Sequence, residues 1–205
     1  MIKNIIFDLG VVLLDVNYQN TIEAFSLLGL NKPEEAFSKQ KQDEFFRRYE
    51  RGQISETQFL NGLSARIGGA DNEKLRDAWC AMLGELPKAK YDFIRKLQKD
   101  YRLFILSNTN QTHQEWFERK IDNQYGWKNF SDCFEFIGYS HKINERKPDK
   151  QAFQYVLQKF ALNPGETLFI DDTPEHVQGA RELALITVHY GDGDDLKEKV
   201  LTYIE

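Results

Sequence analysis

Ile5-Ile6-Phe7-Asp8 is an apolar run that stops on a carboxylate, and three later segments of the chain have the same pattern. Apolar runs of about four residues between helical stretches are typical of buried strands in a parallel sheet. Ligands of such sheets bind beyond the carboxyl ends of the strands. If these strands are neighbours, their polar ends converge on one place, which predicts an enzyme. The later segments are Leu103-Phe104-Ile105-Leu106-Ser107-Asn108, Lys147-Pro148 at the start of a helical stretch, and Leu168-Phe169-Ile170-Asp171-Asp172.

A long helical stretch follows the first strand. Over about residues 18–86 the apolar side chains, Phe37 among them, recur at helical spacing, and no convincing strand is visible. From Pro87 onward, helices and strands alternate. This alternation predicts right-handed crossovers and a sheet that is covered on both faces. We therefore predict an α/β fold that is interrupted after its first strand by a helical insertion.

The composition argues against nucleic acid and membrane partners. The 205-residue chain has a net charge of −5, shows no basic tract and has no apolar stretch near the ~18 residues of a membrane span. Its first residues lack the features of a signal peptide. Cys80 and Cys133 form no C-x-x-C pair, which fits free thiols in a reducing compartment. We expect a cytoplasmic protein that is a monomer or a weak dimer.

Asp8, Asp171 and Asp172 are candidate ligands of a divalent cation. The adjacent carboxylates Asp171 and Asp172 repel each other unless a cation lies close to them. Mg²⁺ suits carboxylate, backbone carbonyl and phosphate oxygens. The alternative is that Asp8 is a turn residue and that Asp172 caps a helix near Pro174. With the three aspartates together we favour a metal site, at which Asp8 would be a nucleophile that accepts a phosphoryl group.

Ser107, Asn108 and Lys147 are candidate partners of an anion. Ser107 and Asn108 provide hydroxyl and amide donors at a helix start, where an anion is favoured. The Lys147 ammonium would neutralise both the acidic cluster and an incoming phosphoryl group. Each motif alone also fits a helix cap or a solvated lysine. Their order and strand context together favour a site.

These motifs resemble those of the haloacid dehalogenase superfamily of phosphatases, in the subfamily that carries a helical cap after the first strand. The resemblance implies a Rossmann-like three-layer core with a mainly parallel sheet. It places that core at residues 1–16 and 87–205 and an all-helical cap at residues 17–86. The motifs that carry the resemblance span residues 7–13, 106–108, 147–149 and 169–172.

The resemblance also implies a role for each motif residue. Asp8 would form an aspartyl phosphate, which Lys147 would steady, and the phosphoryl oxygens would be held by Ser107 and Asn108. Asp172 would coordinate Mg²⁺ together with Asp8 and the backbone carbonyl of Gly10. Asp171 would support the metal site or pair with Lys147. The implied activity is a magnesium-dependent phosphatase of a small phosphorylated metabolite, with a sugar phosphate as a hint from similar proteins.

Gly10 departs from the family pattern. Similar phosphatases usually have an aspartate two positions after the nucleophile, and loss of such an acid or base typically costs ~10²–10⁴-fold in rate. Asp15 is a candidate replacement, although a polar hinge before the cap is favoured for it. The dehalogenases of the superfamily also lack that aspartate, so a metal-independent 2-haloacid dehalogenase is one alternative. A catalytically impaired phosphate-binding protein is another.

Residues 43–52 of the cap interleave aromatic and cationic side chains. In similar proteins this side of the cap closes over the site and excludes water. Arg47 and Tyr49 are therefore candidate substrate contacts, as are Arg48 and Glu50. The alternative is a solvated helix whose aromatic residues pack the cap. The four histidines show no zinc-ligand spacing, and we assign them no role.

Overall fold

A five-stranded parallel sheet lies at the centre of the computed structural model, which describes residues 1–36 and 44–204. The strands lie in the order β3-β2-β1-β4-β5, and every pairing between them is parallel. The α/β prediction is therefore confirmed. The strands are β1 (Asn4–Phe7), β2 (Arg102–Ser107), β3 (Phe136–Tyr139), β4 (Thr167–Asp171) and β5 (Ile186–His189).

Helices cover both faces of this sheet and form the predicted insertion between β1 and β2. None of the helices within the described ranges is both long and apolar enough to cross a membrane. They are α1 (Tyr18–Leu27), α2 (Pro33–Ala36), α3 (Glu44–Glu50), α4 (Glu56–Ile67), α5 (Asn72–Cys80), α6 (Lys88–Leu97), α7 (Gln111–Tyr125), α8 (Trp127–Ser131), α9 (Ser140–Ile143), α10 (Lys150–Lys159), α11 (Pro174–Arg181) and α12 (Leu196–Ile204).

Alternation along the strands divides the core into two apolar layers. Ile5 and Phe7 of β1 pack on one side of the sheet with residues of α6, α7 and α12. Ile6 packs on the other side, where α10 and α11 contribute the facing residues. Successive side chains of a strand point to opposite faces, so a strand that is apolar throughout must be covered twice. The result is the three-layer arrangement.

The predicted cap (residues 17–86) has an apolar cluster of its own. Phe25, Phe46, Phe59 and Trp79 are buried there with residues of α4 and α5. Phe37, which we assigned to the helical pattern, lies outside the described residues. The separate cluster fits a helical unit inserted after β1, and the domain boundaries stay a prediction.

One strand lies later in the chain than its apolar residues suggest. The apolar piece at residues 133–137 points to a strand there, but β3 begins only at Phe136. Cys133 and Phe134 are instead buried in the core beside Phe130 of α8. An apolar run shows burial, and it does not by itself show where strand pairing begins.

Candidate active site

The carboxyl ends of β1, β2 and β4 meet at one edge of the sheet. Phe7 of β1 is level with Ile105 of β2 and with Ile170 of β4. Because β1 lies between strands that extend the sheet in opposite directions, its end is a topological switch point, where open α/β sheets bind ligands. Asp8 is the residue that follows this strand, and its backbone N–H donates to the Ile170 carbonyl at 2.8 Å.

Lys147 joins two of the predicted aspartates. Its Nζ lies 2.7 Å from Oδ1 of Asp8 and 2.5 Å from Oδ2 of Asp171. The Lys147 and Asp171 side chains are both fully buried. Residues 139 and 24 positions apart in the sequence are therefore linked into one charged group. A buried ammonium is tolerable here because two carboxylates surround it.

The surroundings give these groups different proton affinities. Burial raises the pKa of Asp8 to about 6, although Lys147 opposes the rise, and the Asp171 carboxylate adds to it. Burial alone would also raise the pKa of Asp171, but the Lys147 ammonium and a hydrogen bond from His176 hold it below its usual range. For Lys147, burial is outweighed by the two carboxylates, so its pKa is raised. Asp8 is thus the poorly stabilised carboxylate of the group.

Asp8, Asp171 and Asp172 offer oxygen atoms that lie within 4.8 Å of one another. Oxygen donors alone fit Mg²⁺, which binds carboxylates, carbonyls and phosphate oxygens. The oxygens of Asp171 already accept hydrogen bonds from Lys147, His176 and the Thr173 backbone. Asp8 and Asp172 are therefore better placed as direct ligands than Asp171. The residues fit a magnesium site.

Gly10 lies beside the same cluster, on the wall of the cavity above it. Its carbonyl accepts a 2.7 Å hydrogen bond from the Val12 backbone, within a tight turn in which Val11 has a φ of 64°. A β-branched residue rarely adopts this left-handed conformation. The turn therefore fixes the chain direction immediately after Asp8, and the Gly10 carbonyl remains a candidate metal ligand.

Asn108 holds the backbone of Lys147. Its Oδ1 accepts from the Lys147 N–H at 2.9 Å, and its Nδ2 donates to the Lys147 carbonyl at 2.8 Å. The Asn108 side-chain amide is therefore engaged in positioning Lys147, and the contact of Asn108, which also lines the cavity, with phosphoryl oxygens stays a prediction. Ser107 ends β2 and lines the cavity, so its hydroxyl remains a candidate phosphoryl contact.

His176 is a site residue that the sequence analysis missed. Its Nδ1 lies 3.0 Å from Oδ1 of Asp171, and its Nε2 lies 3.4 Å from Nδ2 of Asn108. A neutral ring with its proton on Nδ1 satisfies both contacts, since it donates to the carboxylate and accepts from the amide. The available signal was its place in the first turn of α11, directly after Asp171 and Asp172. His176 therefore has a place in the site although the histidines lack the sequence spacing of zinc ligands.

A cavity of about 210 Å³ opens above these residues. Asp8, Ser107 and Asp172 line it on the sheet side. The opposite wall comes from the predicted cap and is mainly apolar, with Tyr18, Phe46 and Trp79 as its aromatic members. Mostly apolar pockets with a few convergent polar groups are typical of small-molecule sites.

Arg47 and Tyr49 do not line this cavity. The Tyr49 hydroxyl hydrogen-bonds with the Thr112 hydroxyl at the start of α7, and its ring stacks on Phe59 with centroids 4.2 Å apart. Burial accordingly raises the pKa of Tyr49 to about 12. This corrects the expectation that Tyr49 contacts substrate, because its side chain packs the cap instead. Of the four candidate substrate contacts at residues 47–50, Glu50 lines the cavity. Residue 43, at the start of the cap segment 43–52, lies outside the described residues.

Asp15 is not placed to replace the missing acid. Its side chain is exposed and absent from the cavity wall. Its backbone N–H donates to the Glu85 carbonyl, and its carbonyl accepts from the Gly84 N–H at 2.8 Å. The two crossings between core and cap are joined at this point, so the hinge interpretation fits the geometry and the acid interpretation does not.

Comparison with known proteins agrees with this site. A family model described as haloacid dehalogenase-like hydrolase matches residues 2–183. D-ribitol-5-phosphate phosphatase of Bacteroides thetaiotaomicron is 29% identical over 201 residues, which cover 98% of this chain and 97% of that protein. The solved structure of a HAD-like hydrolase from Porphyromonas gingivalis is 30% identical, with a TM-score of 0.90 and coverage of 100% of this chain and 98% of that one.

Two further solved structures bear on ligands and fold. A variant of a HAD family enzyme from Bacteroides thetaiotaomicron, in complex with magnesium and inorganic phosphate, is 29% identical with a TM-score of 0.89, and the match covers 95% of this chain and 96% of that one. L-2-haloacid dehalogenase from Xanthobacter autotrophicus is 16% identical with a TM-score of 0.66, and the match covers 99% of this chain and 84% of that one. The second similarity shows a shared fold alone.

Proposed function

This chain belongs to the haloacid dehalogenase-like hydrolase family, and from that premise we propose that it is a magnesium-dependent phosphatase of a small phosphorylated metabolite. The observation that carries the proposal is the fully buried Lys147 ammonium between Asp8 and Asp171, beside Asp172 at the base of a cavity. A relative of nearly equal length named D-ribitol-5-phosphate phosphatase supports it, and so does a similar structure in complex with magnesium and phosphate.

Asp8 is the proposed nucleophile. Lys147 binds its Oδ1, which leaves Oδ2 to attack phosphorus. The new bond joins this oxygen to phosphorus, while the bond from phosphorus to the leaving oxygen breaks with its electron pair. Water then attacks phosphorus in the aspartyl phosphate, which regenerates the Asp8 carboxylate and releases inorganic phosphate. Splitting one displacement into two in this way lowers the barrier of each step.

The surrounding residues orient the reacting groups. Lys147 fixes the Asp8 carboxylate and offsets negative charge, and Asn108 fixes the Lys147 backbone. Asp8 and Asp172, with the Gly10 carbonyl, would hold Mg²⁺, which when bound offsets the charge of the phosphoryl oxygens. The apolar wall of the cap limits the access of bulk water to the site.

Removal of the metal should separate this function from the dehalogenase alternative. We expect a chelator to lower the hydrolysis of p-nitrophenyl phosphate by at least about 100-fold, because charge stabilisation by a metal amounts to several kcal/mol. Added Mg²⁺ should restore the rate. Phosphate and halide release would be measured in parallel, with p-nitrophenyl phosphate and a 2-haloacid as substrates. Halide release that is insensitive to the chelator, without phosphatase activity, would contradict the proposal.

The lack of an acid at position 10 predicts a preference for leaving groups that need little protonation. Aryl, acyl and anomeric sugar phosphates should therefore react faster than simple alkyl phosphates. We expect Gly10→Asp to raise kcat for an alkyl phosphate by at least about tenfold and to raise it less for p-nitrophenyl phosphate. The position can accept a side chain, since an added Cβ would meet only the Val16 Cγ2 at 3.5 Å.

The matched control for this variant is Gly10→Asn, which has nearly the same shape but cannot donate and accept a proton as a carboxyl group does. The two variants would be compared by kcat across a series of phosphate esters with leaving groups of different basicity. If wild type already shows a flat profile across that series, some other group acts as the acid and this expectation is wrong.

A further inference from the structure

Glu50 and Arg146 form an ion pair across the boundary between the predicted cap and the core. Nε and Nη2 of Arg146 lie 3.0 Å and 2.9 Å from Oε2 of Glu50. Glu50 is the last residue of α3, whereas Arg146 directly precedes Lys147 in the sequence. Both side chains are largely buried, with 13% and 14% of their surface exposed, and both line the cavity.

The position of this pair distinguishes it from an ordinary surface ion pair. Taking two charges out of water costs free energy that their attraction often does not recover, so such a pair is weak evidence for stability. The other cap residues on the cavity wall are mainly apolar, including Trp79, Met82 and Leu83. Among the described cap residues that line the cavity, Glu50 is the one with a charged side chain. A ligand whose phosphoryl group lies at Asp8 would place the rest of the molecule between Asp8 and the cap wall, next to Glu50 and Arg146.

We propose that Glu50 and Arg146 bind hydroxyl groups of the leaving group, which makes the substrate a sugar or polyol phosphate. This inference rests on the proposed phosphatase function. The Glu50 carboxylate accepts hydrogen bonds from hydroxyl groups, and the Arg146 guanidinium donates to them. The apolar cap residues contact the C–H surface of the same molecule. Sites built to hydrogen-bond a hydroxyl group discriminate strongly against analogues that lack it.

A second ion pair provides an internal control. Arg51 follows Glu50 in the sequence, Asp149 lies three residues after Arg146, and Nη2 of Arg51 lies 2.8 Å from Oδ2 of Asp149. This pair also joins cap to core, but neither residue lines the cavity. A pair that only holds the two parts together should therefore behave like Arg51–Asp149, whereas a pair that binds substrate should not.

The test compares hydroxylated and unhydroxylated substrates in the full-length chain with Mg²⁺. The substrates are D-ribitol-5-phosphate, an anomeric glucose phosphate and p-nitrophenyl phosphate, and the variants are Glu50→Gln, Arg146→Gln, Arg146→Lys and Arg51→Gln. For Glu50→Gln and Arg146→Gln we expect the ratio of kcat/KM for a hydroxylated substrate to that for the aryl substrate to fall about 10- to 100-fold. Arg146→Lys keeps the positive charge, so it should lower this ratio less than Arg146→Gln does. Arg51→Gln should leave the ratio within about twofold of wild type.

Three results would overturn the inference. An equal loss of kcat/KM on all substrates, which leaves the ratio unchanged, would mean that the pair only holds the cap in place. Wild-type kcat/KM on every substrate would mean that the pair does not contact substrate. Hydrolysis of the aryl substrate by wild type without hydrolysis of either hydroxylated one would refute the recognition role alone. If wild type hydrolyses none of them with Mg²⁺, the proposed phosphatase function itself fails. Thermal unfolding of each variant identifies any loss that comes from misfolding.

Discussion

We expect Asp8→Asn to lower kcat for p-nitrophenyl phosphate by at least about 10³-fold in the presence of Mg²⁺. The amide retains the shape of the carboxylate but is a poor nucleophile, and it carries no charge for the metal or for Lys147, whose Nζ lies 2.7 Å from Asp8 Oδ1. Initial rates at saturating substrate and Mg²⁺ would give the change in kcat. The fold should survive, because Asp8 lies after the strand and not within it.

The matched control is Asp15→Asn. Asp15 lies seven positions later in the same loop region, is exposed and does not line the cavity. We expect its replacement to change kcat by less than about twofold, as for most surface substitutions. Full activity of Asp8→Asn would rule out the nucleophile assignment, and a large loss in Asp15→Asn would restore Asp15 as the missing acid.

We expect Lys147→Met to affect both stability and activity. Methionine fills a similar volume but leaves the fully buried Asp171 and the adjacent Asp8 without a countercharge. Breaking a buried ion pair from one side costs about 3–5 kcal/mol, so the free energy of unfolding without Mg²⁺ should fall by about this amount. The rate should fall by about 10²–10³-fold, since a fixed positive charge is lost from the reacting group.

The loss of stability in Lys147→Met should depend on pH in one direction. Lys147 lowers the pKa of Asp171. The stability that this ion pair adds to the folded protein is therefore present above the ordinary pKa of an aspartate and is lost as the pH falls below it. The difference in unfolding free energy between wild type and Lys147→Met should therefore narrow as the pH falls below about 4, the ordinary pKa of an aspartate. Urea unfolding at several pH values measures it.

Lys128→Met is the control for that experiment. Lys128 also lies 2.7 Å from a carboxylate, that of Asp132, but 84% of its side chain is exposed. Exposed pairs contribute about 0–1 kcal/mol, so this variant should remain close to wild type in stability. Equal small effects of the two substitutions would mean that the buried charges at the site are not coupled as the structure indicates.

The sequence predicts those parts of the site that follow from strand order. Asp8, Ser107 and Asp171 come at the ends of apolar runs, and the carboxyl ends of parallel strands share one edge. Lys147 was found by its motif, and the structure brings it to the same place. These residues could be placed without coordinates because strand direction alone fixes which end of a segment faces the site.

Contacts between side chains from different elements could not be placed in this way. The hydrogen bonds between the Asn108 side-chain amide and the Lys147 backbone, for example, have no signal in the sequence. Tyr49 was assigned to substrate, but it faces Thr112 and Phe59. Helical spacing shows that Tyr49 and Glu50 lie on different sides of α3, and it does not show which side meets the cavity. His176 was missed because its partners come from other elements.

The most direct test of the central claim is to look for the phosphoryl group on Asp8. Enzyme would be mixed with p-nitrophenyl phosphate and Mg²⁺, quenched in acid within one turnover, digested and analysed by mass spectrometry. We predict a phosphorylated peptide that contains Asp8, absent when Mg²⁺ is omitted and absent in Asp8→Asn. Rapid turnover with no modified peptide, or with the phosphoryl group on another residue, would contradict the account.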